Sequence, residues 1–85
     1  MKIRPLKWSK NGAGNHNGKV GPYTLMTVCW QDGRGWFVSP KLPGLKPVDV
    51  ASVADGQVKA EKMYLEFMAA MIEKNIIFNS EEWRG

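Results

Sequence analysis

The chain has one cysteine, one histidine, a single acidic residue in its first 48 positions and no long uninterrupted apolar run. A lone Cys29 excludes an intrachain disulfide. A reducing, cytoplasmic setting is the expectation, with no secretory leader before Leu6. A bilayer-spanning helix needs about 20 apolar residues, so no membrane segment is expected. A catalytic thiol needs a base within reach, and His16 sits far from Cys29 in a glycine-rich stretch. Cys29 is therefore expected to be a small hydrophobe in a strand. A metal needs several ligands, and His16 has no second ligand candidate nearby. Glu61, Glu66 and Glu73 fall on or beside a helix surface, without the convergent partners that acid–base chemistry requires. No enzymatic activity, metal or cofactor is expected.

What is present is an ordinary globular composition, 44 % hydrophobic and 24 % charged in 85 residues. That length makes one domain, residues 1–85, with a modest core and little room for a deep cleft. The net charge of +4 conceals a segregation. Residues 1–48 carry eight basic residues against Asp32 alone, a net of +7, and residues 49–85 carry four basic against seven acidic, a net of −3. A basic half points to an acidic partner, nucleic acid or protein.

The apolar pattern predicts an α+β fold, a small antiparallel three-stranded sheet over residues 3–42 followed by one long C-terminal helix. Ile3–Trp8 reads as a first strand, with Leu6 and Trp8 on one face. Pro5 places it at an edge or delays its start. Ser9–Pro22, rich in Gly and Asn, reads as a loop. It lacks the Gly-Lys-Ser/Thr ending of a nucleotide-binding loop. Tyr23–Gln31 is the strongest strand and Trp36–Ser39 its hairpin partner. Gly33 as first central residue of a two-residue type II′ turn would pair Cys29 with Val38 and Trp30 with Phe37. One face then carries Tyr23, Leu25, Thr27, Cys29, Val38 and Trp36, and the other Thr24, Met26, Val28, Trp30 and Phe37. Both are apolar, whereas an exposed sheet face should be polar. Leu6, Trp8, Tyr23 and Leu25 are the preferred inward set.

Residues 43–51 read as a Pro/Gly connector in which the stretch Val48–Val53 can pack on the sheet edge. A helix is predicted over 52–75, opened by the Ser52-x-x-Asp55 capping-box variant. It has two apolar stripes, one with Ala54, Val58, Leu65 and Met68, the other with Ala60, Tyr64, Phe67 and Met71. So wide an arc implies burial on more than one side. The tail, 76–85, with Ile76, Ile77, Phe78 and Trp83, is one cover for the second stripe. The other is self-association in a homodimer through Tyr64, Phe67 and Met71.

The succession Leu6-Lys7-Trp8, a Gly/Asn loop, Gly21-Pro22-Tyr23-Thr24-Leu25, Gly35-Trp36-Phe37 and Ser52 opening a helix with Ala60 on it resembles small phage and prophage early or accessory proteins. The resemblance covers roughly residues 4–75. It implies a small sheet backed by one helix, in a protein acting in an infected or lysogenic bacterial host. Such proteins bind and divert host machinery, including restriction and CRISPR defence complexes. The Met-rich helix (Met63, Met68, Met71) departs from their Ala- and charge-rich one.

Two partner classes follow. A host or defence protein would be held by an aromatic anchor of Met26, Trp30 and Phe37, rimmed by Arg34 and Lys41. Nucleic acid would be held by Arg4, Lys7, Lys10, Lys19, Arg34 and Lys41 on the basic sheet. The latter arrangement resembles the strand-reading domains of phage integrases and plant ethylene-response proteins.

Overall fold

Two stretches expected to be connectors are strands. The computed structural model describes residues 3–73; the expected end of the helix at Asn75 and the tail 76–85 lie outside them. The elements are β1 (Lys7–Lys10), β2 (His16–Val20), β3 (Tyr23–Gln31), β4 (Gly35–Pro40), β5 (Val48–Asp49) and α1 (Val53–Glu73). The strands form one antiparallel sheet in the order β1-β2-β3-β4-β5. The α+β class holds, with five strands rather than three. Edge strand β1 begins after Pro5, which cannot donate to a ladder. Val48 and Asp49 extend the far edge.

Local chemistry makes the missed hairpins. Asn11 organises the β1–β2 loop, its Oδ1 accepting from the amides of Ala13 (2.9 Å) and Asn15 (3.1 Å). Such asparagine turns replace backbone partners that a loop lacks. Val20 pairs with Tyr23 across Gly21-Pro22, and Gly21 has φ 59°, the sign a type II′ turn requires at its first central position. β2 carries little apolar signal because its centre is Gly18. A Cβ there would lie 2.9 Å from the Trp8 ring, which covers the strand in place of a side chain of its own.

The β3–β4 turn corrects the expected register. Its loop has three residues, Asp32–Arg34, closed by the Arg34 amide donating to the Gln31 carbonyl (3.0 Å) with Gly33 at φ 82°. Pairing therefore slips by one: Val28 opposes Val38, Trp30 opposes Trp36 and Cys29 opposes Phe37. A one-residue slip moves a whole side-chain set to the other face. Val38 and Trp36 thus join Met26, Val28 and Trp30, while Phe37 joins Thr27, Cys29 and Ser39. Of the expected inward set, Leu6 is buried and Trp8 and Leu25 pack against the core, but Tyr23 is exposed. Leu25 is the extra residue of a bulge in β3, where β2 steps from Gly18↔Met26 to Lys19↔Thr24.

One layer of helix covers one face of this sheet. Met26, Val28 and Val38 meet Ala60 and Tyr64 of α1, with Leu6 closing the end. Each large side chain so buried contributes about 1.5–3 kcal/mol. The approach is closest at Gly56, where a Cβ would lie 2.8 Å from Val28 Cγ1 and 3.2 Å from Val50 Cγ2. At the helix start, Ser52 Oγ accepts from the Asp55 amide (3.1 Å), and Asp55 Oδ2 accepts from the Ala51 amide (3.0 Å). This is the reciprocal logic of the capping box, displaced by one residue.

The stripe proposed for self-association is the one that packs inward. Tyr64 is 2 % exposed, and its hydroxyl donates to the Arg4 carbonyl. Phe67 and Met71, further along that stripe, are half-buried. The other stripe is divided: Val58 and Leu65 are 70 % and 40 % exposed, while Met68 packs against the core. Glu61 accepts the Leu6 amide through both carboxylate oxygens (3.2 and 3.1 Å). Tyr64 and Glu61 thereby strap residues 4–6 to the helix.

Gly56→Ala should destabilise the fold by about 1–2 kcal/mol, because overpacking a sealed valine outweighs the helix-propensity gain. Urea unfolding checks this, and in a Val28→Ala background the penalty should vanish. Burial pushes the Tyr64 hydroxyl above its ordinary value, with the Glu61 charge adding to the effect. The unfolded chain then loses this proton first. Its contribution is complete below a pH of about 10 and is lost as pH rises above that value. Tyr64→Phe should flatten that alkaline loss while costing about 1 kcal/mol at neutral pH, both read from unfolding curves across pH.

Candidate functional site

Cross-strand partners share a face, so the register defines the side of the sheet that no helix covers among the described residues. Lys7 opposes Lys19, Ser9 opposes Asn17, Asn17 opposes Thr27, Thr27 opposes Ser39, and Phe37 opposes Asp49. The middle of this face is a row of small polar side chains, Ser9–Asn17–Thr27–Ser39. Thr27 Oγ1 donates to Asn17 Oδ1 (3.3 Å) and is almost fully covered. Cations rim the row: Lys7 and Lys19 at one end, Lys41 just beyond β4, and Arg34 in the turn. Asp49 is the only carboxylate on the strands among the described residues, and it is engaged. Arg34 Nε lies 2.6 Å from Asp49 Oδ1, with the guanidinium 4.1 Å above the centre of the Phe37 ring. This exposed pair and its stacking contribute about 1 kcal/mol or less each, but they hold Arg34 flat against the sheet.

The expected protein anchor is not assembled. Met26 is sealed in the core beneath α1, and Phe37 lies across the sheet from Trp30. Trp30 is 57 % exposed on the helix side, edge-on to Trp36 (5.5 Å between centroids), which in turn meets His16 edge-on (6.2 Å). The apolar groove on that side runs between Trp8 and the Val58–Leu65 stripe.

The nucleic-acid set divides differently. Arg4, Lys7 and Lys19 converge on one cleft of about 530 Å³ at the β1 edge, together with Trp8, Ser9 and Gly21. Lys41 stands on the same open side. Lys10, opposite His16, alternates onto the helix side. Sequence reasoning missed the polar row and the role of Ser9. The i, i+2 spacing of Lys7 with Ser9 and of Asn17 with Lys19 was the available signal.

The chain matches no family model, no curated protein and no solved structure. Among the described residues, no three His, Cys, Asp or Glu side chains gather as a metal site would need, and no helix is long and apolar enough to cross a membrane. Burial pushes the Cys29 thiol up, with Lys41 opposing the shift. At neutral pH the group is a thiol, not the reactive thiolate.

Maleimide labelling of Cys29 at neutral pH should be slower in the folded than in the unfolded chain, and its rate should still be rising past pH 9.0. Lys41→Gln should slow it further.

Proposed function

We propose that the face of the sheet turned away from α1 binds double-stranded nucleic acid. The observation that carries this is the separation of charge across the sheet. Lys7, Lys19 and Lys41 surround a polar row on the open side, while the carboxylates of α1 lie behind the other. The acidic helix half would repel a duplex only if it stood on the same side. Lysines supply phosphate contacts, and Ser, Asn and Thr side chains supply hydrogen bonds to sugar, phosphate or base edges. A twisted antiparallel sheet can enter a major groove with its strands. A duplex is favoured over a single strand by the aromatic placement. Single-strand binders need free stacking platforms, yet Phe37 lies under Arg34, and Trp30 and Trp36 are on the helix side.

The second reading, a module that binds a host or defence protein as the phage resemblance implies, is supported by the exposed Trp30, Val58 and Leu65. It predicts binding that depends little on salt and falls with Trp30→Ala.

Fluorescence anisotropy of a labelled duplex across a salt series separates the two. We expect log affinity to fall linearly with log salt, by about 0.9 per phosphate contacted. Lys41→Gln should reduce that slope by about 1, and Lys62→Gln on the helix should leave it unchanged. Absence of salt-dependent duplex binding would sink the proposal.

A further inference from the structure

Lys7 and Lys19 face each other directly across β1 and β2. Like charges in this position destabilise a sheet. An ordinary surface relieves them with a nearby carboxylate, but among the described residues the one ion pair is Arg34–Asp49, at the other end of the face. A third cation joins them: Arg4 lines the same cleft, on the strap whose carbonyl is held by Tyr64 and whose Leu6 amide is held by Glu61. The helix thus fixes one wall of the cleft and the strand pair the other. Ser9, on the same face as Lys7 and Lys19, adds a hydroxyl.

We propose that this cleft is a phosphate-binding site. Three cations and a hydroxyl converging within about 530 Å³ suit a compact anion with several acceptor oxygens. Inorganic phosphate or a phosphate monoester, with three or more free oxygens and close to two charges at neutral pH, matches the cations better than a carboxylate or a single diester, each with two free oxygens and one charge. The bound phosphate takes the place of the missing counter-charge and removes the Lys7–Lys19 repulsion. That the phosphate belongs to a nucleic acid rests on the duplex-binding reading; that the cleft holds phosphate does not.

The test is a titration of the isotope-labelled protein with inorganic phosphate, in chloride buffer of constant ionic strength, followed by amide NMR shifts. The expected result is saturable movement of the Lys7, Ser9, Lys19 and Gly21 amides, with Lys41 and the helix lysines unmoved. Lys7→Gln and Lys19→Gln should each weaken phosphate about tenfold or more. Each should also raise the melting temperature in phosphate-free buffer, because the repulsion is relieved. A structural role for the lysines would lower it. Shifts spread evenly over all lysines, or no saturation, would overturn the site.

Duplexes with and without a 5′-phosphate form the second arm. Tighter binding of the phosphorylated duplex assigns the cleft to a strand end, and equal binding with the cleft amides perturbed assigns it to a backbone phosphate. Phosphate in the cleft without duplex binding would keep this site and remove the nucleic-acid reading. Duplex binding with the cleft amides unmoved, in a protein whose cleft also fails to saturate with inorganic phosphate, would do the reverse.

Discussion

The contact of Gly56 with Val28 sets how closely the helix seats on the apolar face of the sheet. Without a side chain at Gly56, the first full turn of α1 sits directly on the Val28 methyls, wedged beside Val50. From that point the helix can only run along the Met26–Val28–Val38 side, which brings Ala60 and Tyr64 over the core and Glu61 within reach of the Leu6 amide. The N-terminal strap, the edge strand it leads into and the wall of the basic cleft all follow from this seating. A bulkier residue at position 56 would lift the helix away from every one of them. Glycine costs little helix propensity so near the N-terminus, so the close approach is obtained cheaply.

The same seating explains why the amphipathic stripes are easily assigned the wrong way round. Helical periodicity identifies Ala60, Tyr64, Phe67 and Met71 as a unit, and likewise Val58 and Leu65. It does not rank two apolar stripes by which lies against a sheet. Volume decides: small residues at 56 and 60 allow the backbone to approach, and the large Tyr64 is buried one turn beyond them. The groove left beside Val58 and Leu65 is the consequence of seating the narrower stripe.

Strong local signals were legible in the sequence: β3 to the residue, β4 within one residue at each end, and the Ser52–Asp55 helix start. Non-local ones were not. β2 is polar with a central glycine, and what makes it a strand is the Trp8 ring across Gly18, contributed by another strand. β5 is two residues long and exists only because β4 offers an edge. The hairpin register turned on whether Asp32 belongs to the loop, and the Asp-Gly-Arg-Gly sequence accommodates both choices. That single residue separates a sheet with two apolar faces from one with an apolar face and a polar one. Most of the candidate site depends on this distinction. Arg4, Lys7, Lys19 and Lys41 were legible as cations, but the convergence of the first three depends on the β1–β2 pairing and on a strap tied 55 residues away. Arg34 was legible as a cation too. Its engagement with Asp49 and Phe37 was not, because Asp49 comes beside it only through β5.

Selection for stability alone does not favour a lysine opposite a lysine. A carboxylate at either position would convert a local repulsion into a cross-strand attraction at no cost to the strand. The sequence instead places its strand carboxylate, Asp49, at the opposite edge and its other described acids in the β3–β4 turn and on α1. The result is a layered distribution of charge: cations over a polar face, an apolar layer of Met26, Val28 and Val38 beneath, and a net acidic helix at the back. Such a layering orients the molecule in the field of a polyanion before contact, since the open face is attracted and the helix repelled. Cations with no carboxylate partner among the described residues carry an energetic cost at one edge of a small sheet. An anion bound in the cleft would offset it, and this asymmetry is the physical basis of the proposal that the cleft takes phosphate.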